Sequence, residues 1–205
     1  MPIHWLPSNF NMSIFYEIED FPELIPIRDT WKAIRDEAME HINSFYMVGE
    51  DVPDDRNTKN KWRMMPVKPA TDDLTYNIES GGNMVERIEK WKDKFTILRN
   101  LCDAIPGCNE YCLSLLESGG HIGAHSHGRN NVSCILGLDV PKLCYLRVGK
   151  CVRITENGKF NIFPFREKHE AWNGSDKGRL VLLVTLPNRY EKSGFLNYIK
   201  EKENA

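Results

Sequence analysis

The period of the apolar residues changes partway along this chain, and that change limits the possible fold more than any other feature. Before residue 110, apolar residues recur three or four positions apart over residues 27–45 and 84–98. That spacing is typical of amphipathic helices. From residue 112 onward the period is two, in short segments separated by glycine, proline and asparagine, which is typical of half-buried strands. The sequence therefore predicts a helical first half and a β second half.

The second half contains several short strand candidates with evenly spaced turns. The predicted strands cover residues 112–116, 132–138, 144–148, 152–155, 160–163 and 180–186. The pair Asn157-Gly158 between two of them predicts a tight hairpin. Many short strands of this kind favour an antiparallel sandwich or jelly roll. We therefore predict an α+β, mainly β fold in one domain over residues 1–205. Residues 1–110 form a mostly helical cover, 111–187 the β-sandwich core and 188–205 a C-terminal tail.

The charge and cysteine content exclude several classes of protein. Lysine and arginine total 27 against 29 acidic residues, for a formal net charge of −2. Nucleic-acid-binding proteins usually carry a basic excess, so no nucleic-acid partner is expected. No apolar run approaches the roughly 18 residues that span a bilayer, and the first residues do not resemble a signal peptide, so no membrane segment is expected either. The six cysteines include no Cys-x-x-Cys pair. We expect reduced structural thiols in a cytoplasmic protein.

The histidines are unevenly distributed. Three of the six, His121, His125 and His127, fall within seven residues, and His169 follows 44 positions after His125. In an extended strand, residues two apart share a face, so His125 and His127 would point the same way. Imidazoles on separate strands that face each other across a barrel are natural metal ligands. The alternative is that these histidines lie in surface loops by chance.

Two glycine- and histidine-containing segments resemble the two general cupin motifs. The first reads Gly119-x5-His125-x-His127, and the second reads Gly158-x5-Pro164 followed by His169 and Asn173. The pattern departs from the cupin motifs at two positions. The place of the cupin glutamate falls near Asn131, and Arg166 stands where the second motif has an inner glycine.

A longer series of segments resembles a more specific family over about residues 110 to 187. In order along the chain, these segments are SLLESGGHIGAH (114–125), LGLDVP (136–141), Val152-Arg153, Glu156 to Lys159, HEAWN (169–173) and RLVLLV (179–184). They are similar to the aspartyl/asparaginyl β-hydroxylase family of Fe(II)/2-oxoglutarate oxygenases. The resemblance implies a double-stranded β-helix, the cupin-like form of the jelly roll, with the N-terminal helices packed on its sheet. The single domain would then be an oxygenase domain.

The resemblance also assigns roles to individual residues. It makes His125 and His169 the iron ligands, and it makes Arg179 the residue that binds the distal carboxylate of 2-oxoglutarate. Ser114 matches a serine that hydrogen-bonds the same carboxylate. His127 is a possible third ligand, although the family usually has glycine at that place, and we expect it outside the metal's ligands. The implied reaction couples O2 and the decarboxylation of 2-oxoglutarate to the hydroxylation of an amino-acid or peptidyl side chain.

The substrate and the reaction type leave alternatives open. Ser133 and Ile135 stand where the family usually has an arginine and a histidine, so the substrate, a small molecule or peptide, need not be an acidic side chain. The loop over residues 49–61 and the helical half are candidates for a substrate lid. One alternative function is a three-histidine cupin-type dioxygenase that uses no 2-oxoglutarate. Another is a non-enzymatic β-sandwich binding module. Only the 2-oxoglutarate mechanism requires Arg179.

Overall fold

Two antiparallel sheets and a layer of helices make up the described part of the protein. The structure, a computed structural model, describes residues 14–49, 54–68 and 84–190. The helices in these ranges are α1 (Ile25–Asp29), α2 (Trp31–Glu40), α3 (Met84–Trp91) and α4 (Thr96–Asp103). Short 3₁₀ turns cover Ile18–Asp20, Pro22–Leu24, Ile42–Ser44 and Lys92–Lys94. None of the helices in these ranges is both long and apolar enough to cross a membrane.

The strands form one larger and one smaller sheet. In chain order they are β1 (Tyr46–Met47), β2 (Trp62–Lys68), β3 (Glu110–Leu116), β4 (His121–His125), β5 (Asn131–Asp139), β6 (Cys144–Val148), β7 (Cys151–Ile154), β8 (Phe160–Pro164), β9 (His169–Asn173) and β10 (Arg179–Pro187). The six-stranded sheet has the order β1-β2-β3-β10-β5-β8, and the four-stranded sheet has the order β4-β9-β6-β7. Neighbouring strands are antiparallel throughout both sheets. The predicted jelly roll with N-terminal helices is confirmed.

Alternation along the strands divides the interior into two apolar clusters. On β10, Leu180, Leu182 and Val184 pack in the cluster beneath the helices, whereas Val181 packs in the cluster between the two sheets. β3 alternates in the same way. Fully burying one leucine or valine side chain contributes about 1.5–3 kcal/mol, so both faces of the larger sheet stabilise the fold. The face between the sheets is the one that carries the site.

Gly137 allows β5 to pass very close to the segment that connects the two sheets. A Cβ atom at this position would overlap the carbonyl of Glu156. The Gly137 amide donates to the Lys159 carbonyl (3.2 Å), and the Gly158 amide donates to the Gly137 carbonyl (2.9 Å). No residue with a Cβ fits there without moving the backbone, which explains the glycine in the LGLDVP segment.

The hairpin predicted at Asn157-Gly158 is wrong. The strands on either side, β7 and β8, belong to different sheets, so this turn carries the chain from one sheet to the other. The Asn157 side chain accepts a hydrogen bond from the Val140 amide (2.7 Å). The tight hairpin lies at Gly149 instead, where φ is +55° and β6 turns directly into β7.

The other predicted elements agree with the structure to different degrees. All six predicted strands are present, with ends shifted by at most two residues. The helix expected over 27–45 is divided into α1, α2 and a 3₁₀ turn, and the one expected over 84–98 is interrupted at Lys92–Lys94. Strands β1, β2, β4 and β9 were not assigned from the sequence pattern. Of the C-terminal tail over 188–205, residues beyond 190 lie outside the described ranges, as do residues 50–53 of the predicted lid loop.

Candidate active site

Three histidines come together between the two sheets. Each of His125, His127 and His169 offers a ring nitrogen, and these nitrogens all lie within 4.8 Å of one another. His125 and His169 are direct partners in the pairing of β4 with β9, with ring centroids 4.3 Å apart. His127 follows the end of β4, and its ring lies 5.1 Å from that of His125 and 5.5 Å from that of His169. The cluster is compact enough for all three to share one metal ion.

Backbone carbonyls hold two of the three rings in a metal-binding orientation. The Nδ1 atom of His125 lies 2.7 Å from the Gly123 carbonyl, and that of His169 lies 2.8 Å from the Glu167 carbonyl. A carbonyl only accepts hydrogen bonds, so Nδ1 of each ring must carry the proton. The Nε2 lone pair of each ring is then available to a metal. Such second contacts fix the tautomer of metal-binding histidines.

Burial keeps these imidazoles in the form that binds metals. It lowers the pKa of His127 to about 3 and that of His169 to about 4. The pKa of His125 is also lowered, chiefly by burial, although the hydrogen bond to the Gly123 carbonyl opposes the shift. All three rings are therefore neutral near pH 7. A metal binds neutral imidazole without first having to displace a proton.

His127 is held differently from the other two histidines. Its ring stacks on Phe165 with centroids 3.9 Å apart and an angle of 10° between the planes. Its backbone amide donates to the Phe165 carbonyl (3.2 Å). The stacking brings the ring to the cluster even though β4 has already ended at His125. The structure therefore places His127 within reach of a metal without fixing either of its ring nitrogens through a carbonyl.

Arg179, the first residue of β10, is buried without a partner for much of its guanidinium. It is 1% exposed, and its Nε and Nη2 atoms have no hydrogen-bond partner in the described part of the chain. Burial lowers the pKa of Arg179 to about 10, so the side chain is still charged at neutral pH. A buried cation without a partner is costly. An anionic group bound in the same cavity would supply the missing hydrogen bonds.

Ser114 lies diagonally across from Arg179 on the same face of the sheet. The register pairs Ser114 with Val181 and Leu116 with Arg179. The indole Nε1 of Trp62 donates to the Ser114 hydroxyl (2.9 Å). Because the hydroxyl oxygen already accepts this hydrogen bond, its own proton is available to an acceptor in the cavity. Trp62 was not predicted as a site residue from the sequence.

One cavity of about 530 Å³ joins these groups. The three histidines, Ser114 and Arg179 all line it. Three further arginines of the β half each pair with a carboxylate: Arg129 with Glu110, Arg147 with Glu170 and Arg153 with Glu17. Among these four arginines, Arg179 is the one that lines the cavity and has N–H donors without a partner in the described residues.

Part of the predicted lid loop forms a wall of the cavity. This covering segment, residues 54–61, is fixed to β4 through the Gly123 amide, which donates to the Arg56 carbonyl (2.7 Å). The Asn57 side chain donates to the Val48 carbonyl (2.6 Å) and accepts from the Trp62 amide (3.1 Å). Arg56 and Asp54 line the cavity. The segment therefore covers the histidine cluster rather than projecting away from it.

His121 does not join the histidine cluster. Its Nε2 atom lies 2.9 Å from a carboxylate oxygen of Glu170, and its ring stacks on Trp172 with centroids 5.2 Å apart. Arg147 also pairs with Glu170. Asn173 has a structural role, because its amide donates to the Leu116 carbonyl (2.8 Å) and ties β9 to β3. These residues support the strand that presents His169.

Comparisons with known proteins give relatives that are hydroxylases. Over 180 residues, the chain is 29% identical to the ornithine lipid ester-linked acyl 2-hydroxylase of Rhizobium tropici, covering 82% of this chain and 58% of that protein. Over 169 residues, it is 27% identical to the aspartyl/asparaginyl beta-hydroxylase of Mus musculus, covering 80% of this chain and 21% of that protein. The chain thus spans less than two thirds of either relative.

Solved structures that align with the chain include a cupin 2 conserved barrel domain protein from Rhodopseudomonas palustris. That alignment has 18% identity and a TM-score of 0.34, and it covers 40% of this chain and 55% of the other. The family model described as Aspartyl/Asparaginyl beta-hydroxylase matches residues 28–188, which is most of the chain and includes every candidate site residue. The chain belongs to the aspartyl/asparaginyl β-hydroxylase family.

Proposed function

We propose that the protein is an Fe(II)- and 2-oxoglutarate-dependent hydroxylase that acts on an amino-acid or peptidyl side chain. The observation that carries this proposal is Arg179, a buried guanidinium with unpartnered donors in the cavity that also holds the histidine cluster. A metal site alone would not require a buried cation. A metal site beside a buried anion anchor suits a co-substrate that carries carboxylates.

The histidines fit the metal by their chemistry. His125 and His169 would hold Fe(II) through Nε2, since a carbonyl occupies Nδ1 of each ring. Imidazole is a suitable ligand for iron, and two histidines leave other coordination positions open. When bound together, Fe(II) and 2-oxoglutarate supply the oxidising chemistry with O2, with loss of CO2 from the co-substrate. The protein supplies position and a site shielded from water.

Arg179 and Ser114 would hold the distal carboxylate of 2-oxoglutarate. A guanidinium presents parallel donors that match both oxygens of a carboxylate. The Ser114 hydroxyl adds another donor, because its oxygen already accepts a hydrogen bond from Trp62 and its proton is free to be donated. The co-substrate's charge would offset the cost of burying Arg179. The covering segment, residues 54–61, limits the access of water to the cavity.

An anaerobic titration with Fe(II) and 2-oxoglutarate tests this function. The chelate of the two gives a visible charge-transfer band, which we expect for the wild type and not for Arg179→Met. Arg63→Met is the matched control, because Arg63 pairs with Glu117 and does not line the cavity. Absence of the band from folded wild-type protein would reject the proposal.

A three-histidine dioxygenase that uses no 2-oxoglutarate is the second candidate. The position of His127 within the cluster favours it. It leaves the buried charge of Arg179 without a role, so we rank it below the first. Formation of succinate from 2-oxoglutarate by the iron-loaded protein would exclude it. A purely non-enzymatic binding module does not accord with membership of a hydroxylase family.

A further inference from the structure

The end of the cavity farthest from Arg179 carries a row of polar side chains. On β10, Thr185 lies directly opposite Glu110 of β3 on one side and Ser133 of β5 on the other. All three residues line the cavity. Thr185 is six residues from Arg179 on the same face of β10, which corresponds to about 20 Å at the rise of an antiparallel strand. Leu183 lies between them on that face.

Hydrogen bonds place the histidine cluster between the two ends. The side-chain amide of Asn173 donates to the Leu116 carbonyl and so ties the end of β9 to the Arg179 end of the cavity. At the other side, the His127 amide donates to the Phe165 carbonyl (3.2 Å), and the Phe165 amide donates to the Asn131 carbonyl (2.8 Å). Asn131 begins β5, the strand that carries the serine of the polar row. A molecule that extends from the histidines away from the co-substrate anchor therefore meets the polar row.

The two hydroxyl-bearing residues of the row are buried. Ser133 is 2% exposed and Thr185 is 5% exposed. Both residues line the cavity. Their position on the cavity wall offers the two hydroxyls to a bound ligand as hydrogen-bond acceptors.

A carboxylate lines the cavity at this end. Glu110 lines the cavity, and its side chain is only 15% exposed. Arg129 contacts Glu110 from outside the lining, at 3.3 Å. A carboxylate and two hydroxyls offer hydrogen-bond acceptors in one row, and an ammonium group carries three donors. The wall between the row and the histidines is apolar, with Leu183 and Ile135 side by side.

We propose that Glu110, Ser133 and Thr185 bind the ammonium group of the substrate, which is therefore a primary amine with an aliphatic chain. One part of this proposal rests on the proposed function: if the histidine cluster holds the metal, the carbon that is hydroxylated lies on the part of the substrate's aliphatic chain beside the cluster. Binding of the ammonium group itself needs only the polar row and can be measured separately. The proposal deepens the function by naming the substrate class.

The test compares three probes of equal chain length: hexylamine, hexan-1-ol and hexanoate. Binding is measured by calorimetry to protein loaded with Zn(II), with and without 2-oxoglutarate. We expect hexylamine to bind at least about tenfold more tightly than the alcohol or the acid, because hydrogen bonds to a charged group are worth more than neutral ones. Binding of all three probes with similar affinity would overturn the proposal.

Two variants and a control assign the binding to the row. Glu110→Gln and Thr185→Val, which nearly preserve side-chain shape, should each weaken hexylamine binding by roughly tenfold. Glu156→Gln is the matched control, since Glu156 is exposed and pairs with Lys159; it should bind hexylamine like the wild type. Wild-type affinity in both row variants would also overturn the proposal.

Measuring 2-oxoglutarate in the same samples separates this proposal from the proposed function. If 2-oxoglutarate binds and hexylamine shows no preference over hexan-1-ol, the ammonium site is wrong and the hydroxylase proposal stands. If hexylamine binds through the row and 2-oxoglutarate does not bind at all, the proposed function is wrong and the ammonium site stands.

Discussion

Replacing Arg179 by methionine should stabilise the ligand-free protein while abolishing the binding of 2-oxoglutarate. The guanidinium is 1% exposed, and two of its nitrogens have no partner in the described residues. Methionine has a similar length and no charge, and its flexible side chain adapts to irregular space. The substitution therefore removes a desolvated charge and keeps most of the packing. In a protein whose arginine served only the fold, the same change would be destabilising.

The pKa of Arg179 gives the size of the expected gain. Burial lowers it from the ordinary value of an arginine to about 10, and the charged form therefore costs about 3 kcal/mol. Neutral pH lies below both values, so this full penalty applies at pH 7. Imperfect packing of the new side chain costs about 1 kcal/mol or more. The free energy of unfolding should therefore rise by about 1–2 kcal/mol, and Tm by roughly 2–8 °C.

Calorimetric unfolding of the metal-loaded protein, with and without 2-oxoglutarate, measures both effects. Ligand binding to the native state adds RT ln(1 + [L]/Kd), which is about 2.7 kcal/mol at a hundredfold excess over Kd. The wild type should gain this protection and Arg179→Met should not. The control Arg63→Met removes a partly exposed ion pair with Glu117. Such pairs contribute about 0–1 kcal/mol, so the control should change little and stay protected.

Two results would refute the reasoning. If Arg179→Met is less stable than the wild type by more than about 1 kcal/mol, a typical cost of an ordinary substitution, the guanidinium has a structural role that its unpartnered atoms do not reveal. If the variant is more stable but 2-oxoglutarate still protects it fully, the burial argument holds and the co-substrate anchor lies elsewhere.

The remaining predictions concern the other site residues. His125→Ala and His169→Ala should each abolish metal-dependent protection by 2-oxoglutarate and keep the far-ultraviolet circular dichroism spectrum; full protection in both would place the metal elsewhere. Ser114→Ala should weaken 2-oxoglutarate by about fivefold, the worth of one hydrogen bond near 1 kcal/mol, and leave the metal affinity unchanged in calorimetry. His127→Ala should keep 2-oxoglutarate affinity within a few-fold. Loss of iron as severe as in His125→Ala would instead favour three histidine ligands.

The apolar alternation made the central strands predictable. On β10 the sequence Leu180 to Leu186 puts apolar residues at every position but Thr185, as expected for a strand with both faces buried. One face packs beneath the helices and the other faces the smaller sheet. The sequence pattern identified the strand and its neighbours for this reason. It could not show that Arg179 at its start would lack a partner, because that depends on which side chains surround it.

The alternation of apolar residues does not reveal strands whose buried residues are polar. β9 consists of His169-Glu170-Ala171-Trp172-Asn173, and all but the tryptophan are buried. Its polar side chains are satisfied by groups on other strands, such as His121 and Arg147 around Glu170. Neither hydropathy nor strand propensity detects such pairing. The hairpin at Asn157-Gly158 was mispredicted for a related reason, since turn residues show that the chain bends and not which strands pair afterwards.

The spacing of His125 and His127 correctly predicts that the two rings lie together, but the structure brings them together for a different reason. Residues two apart share a face only while the strand continues, and β4 ends at His125. The ring of His127 nevertheless reaches the cluster because it stacks on Phe165, which enters from the segment before β9. The two carbonyl-held histidines present Nε2 in a fixed direction, whereas the ring of His127 is held by an aromatic contact worth about 0.5–1.5 kcal/mol. The spacing of the histidines in the sequence gives no sign of this contact, because Phe165 comes from a different part of the chain.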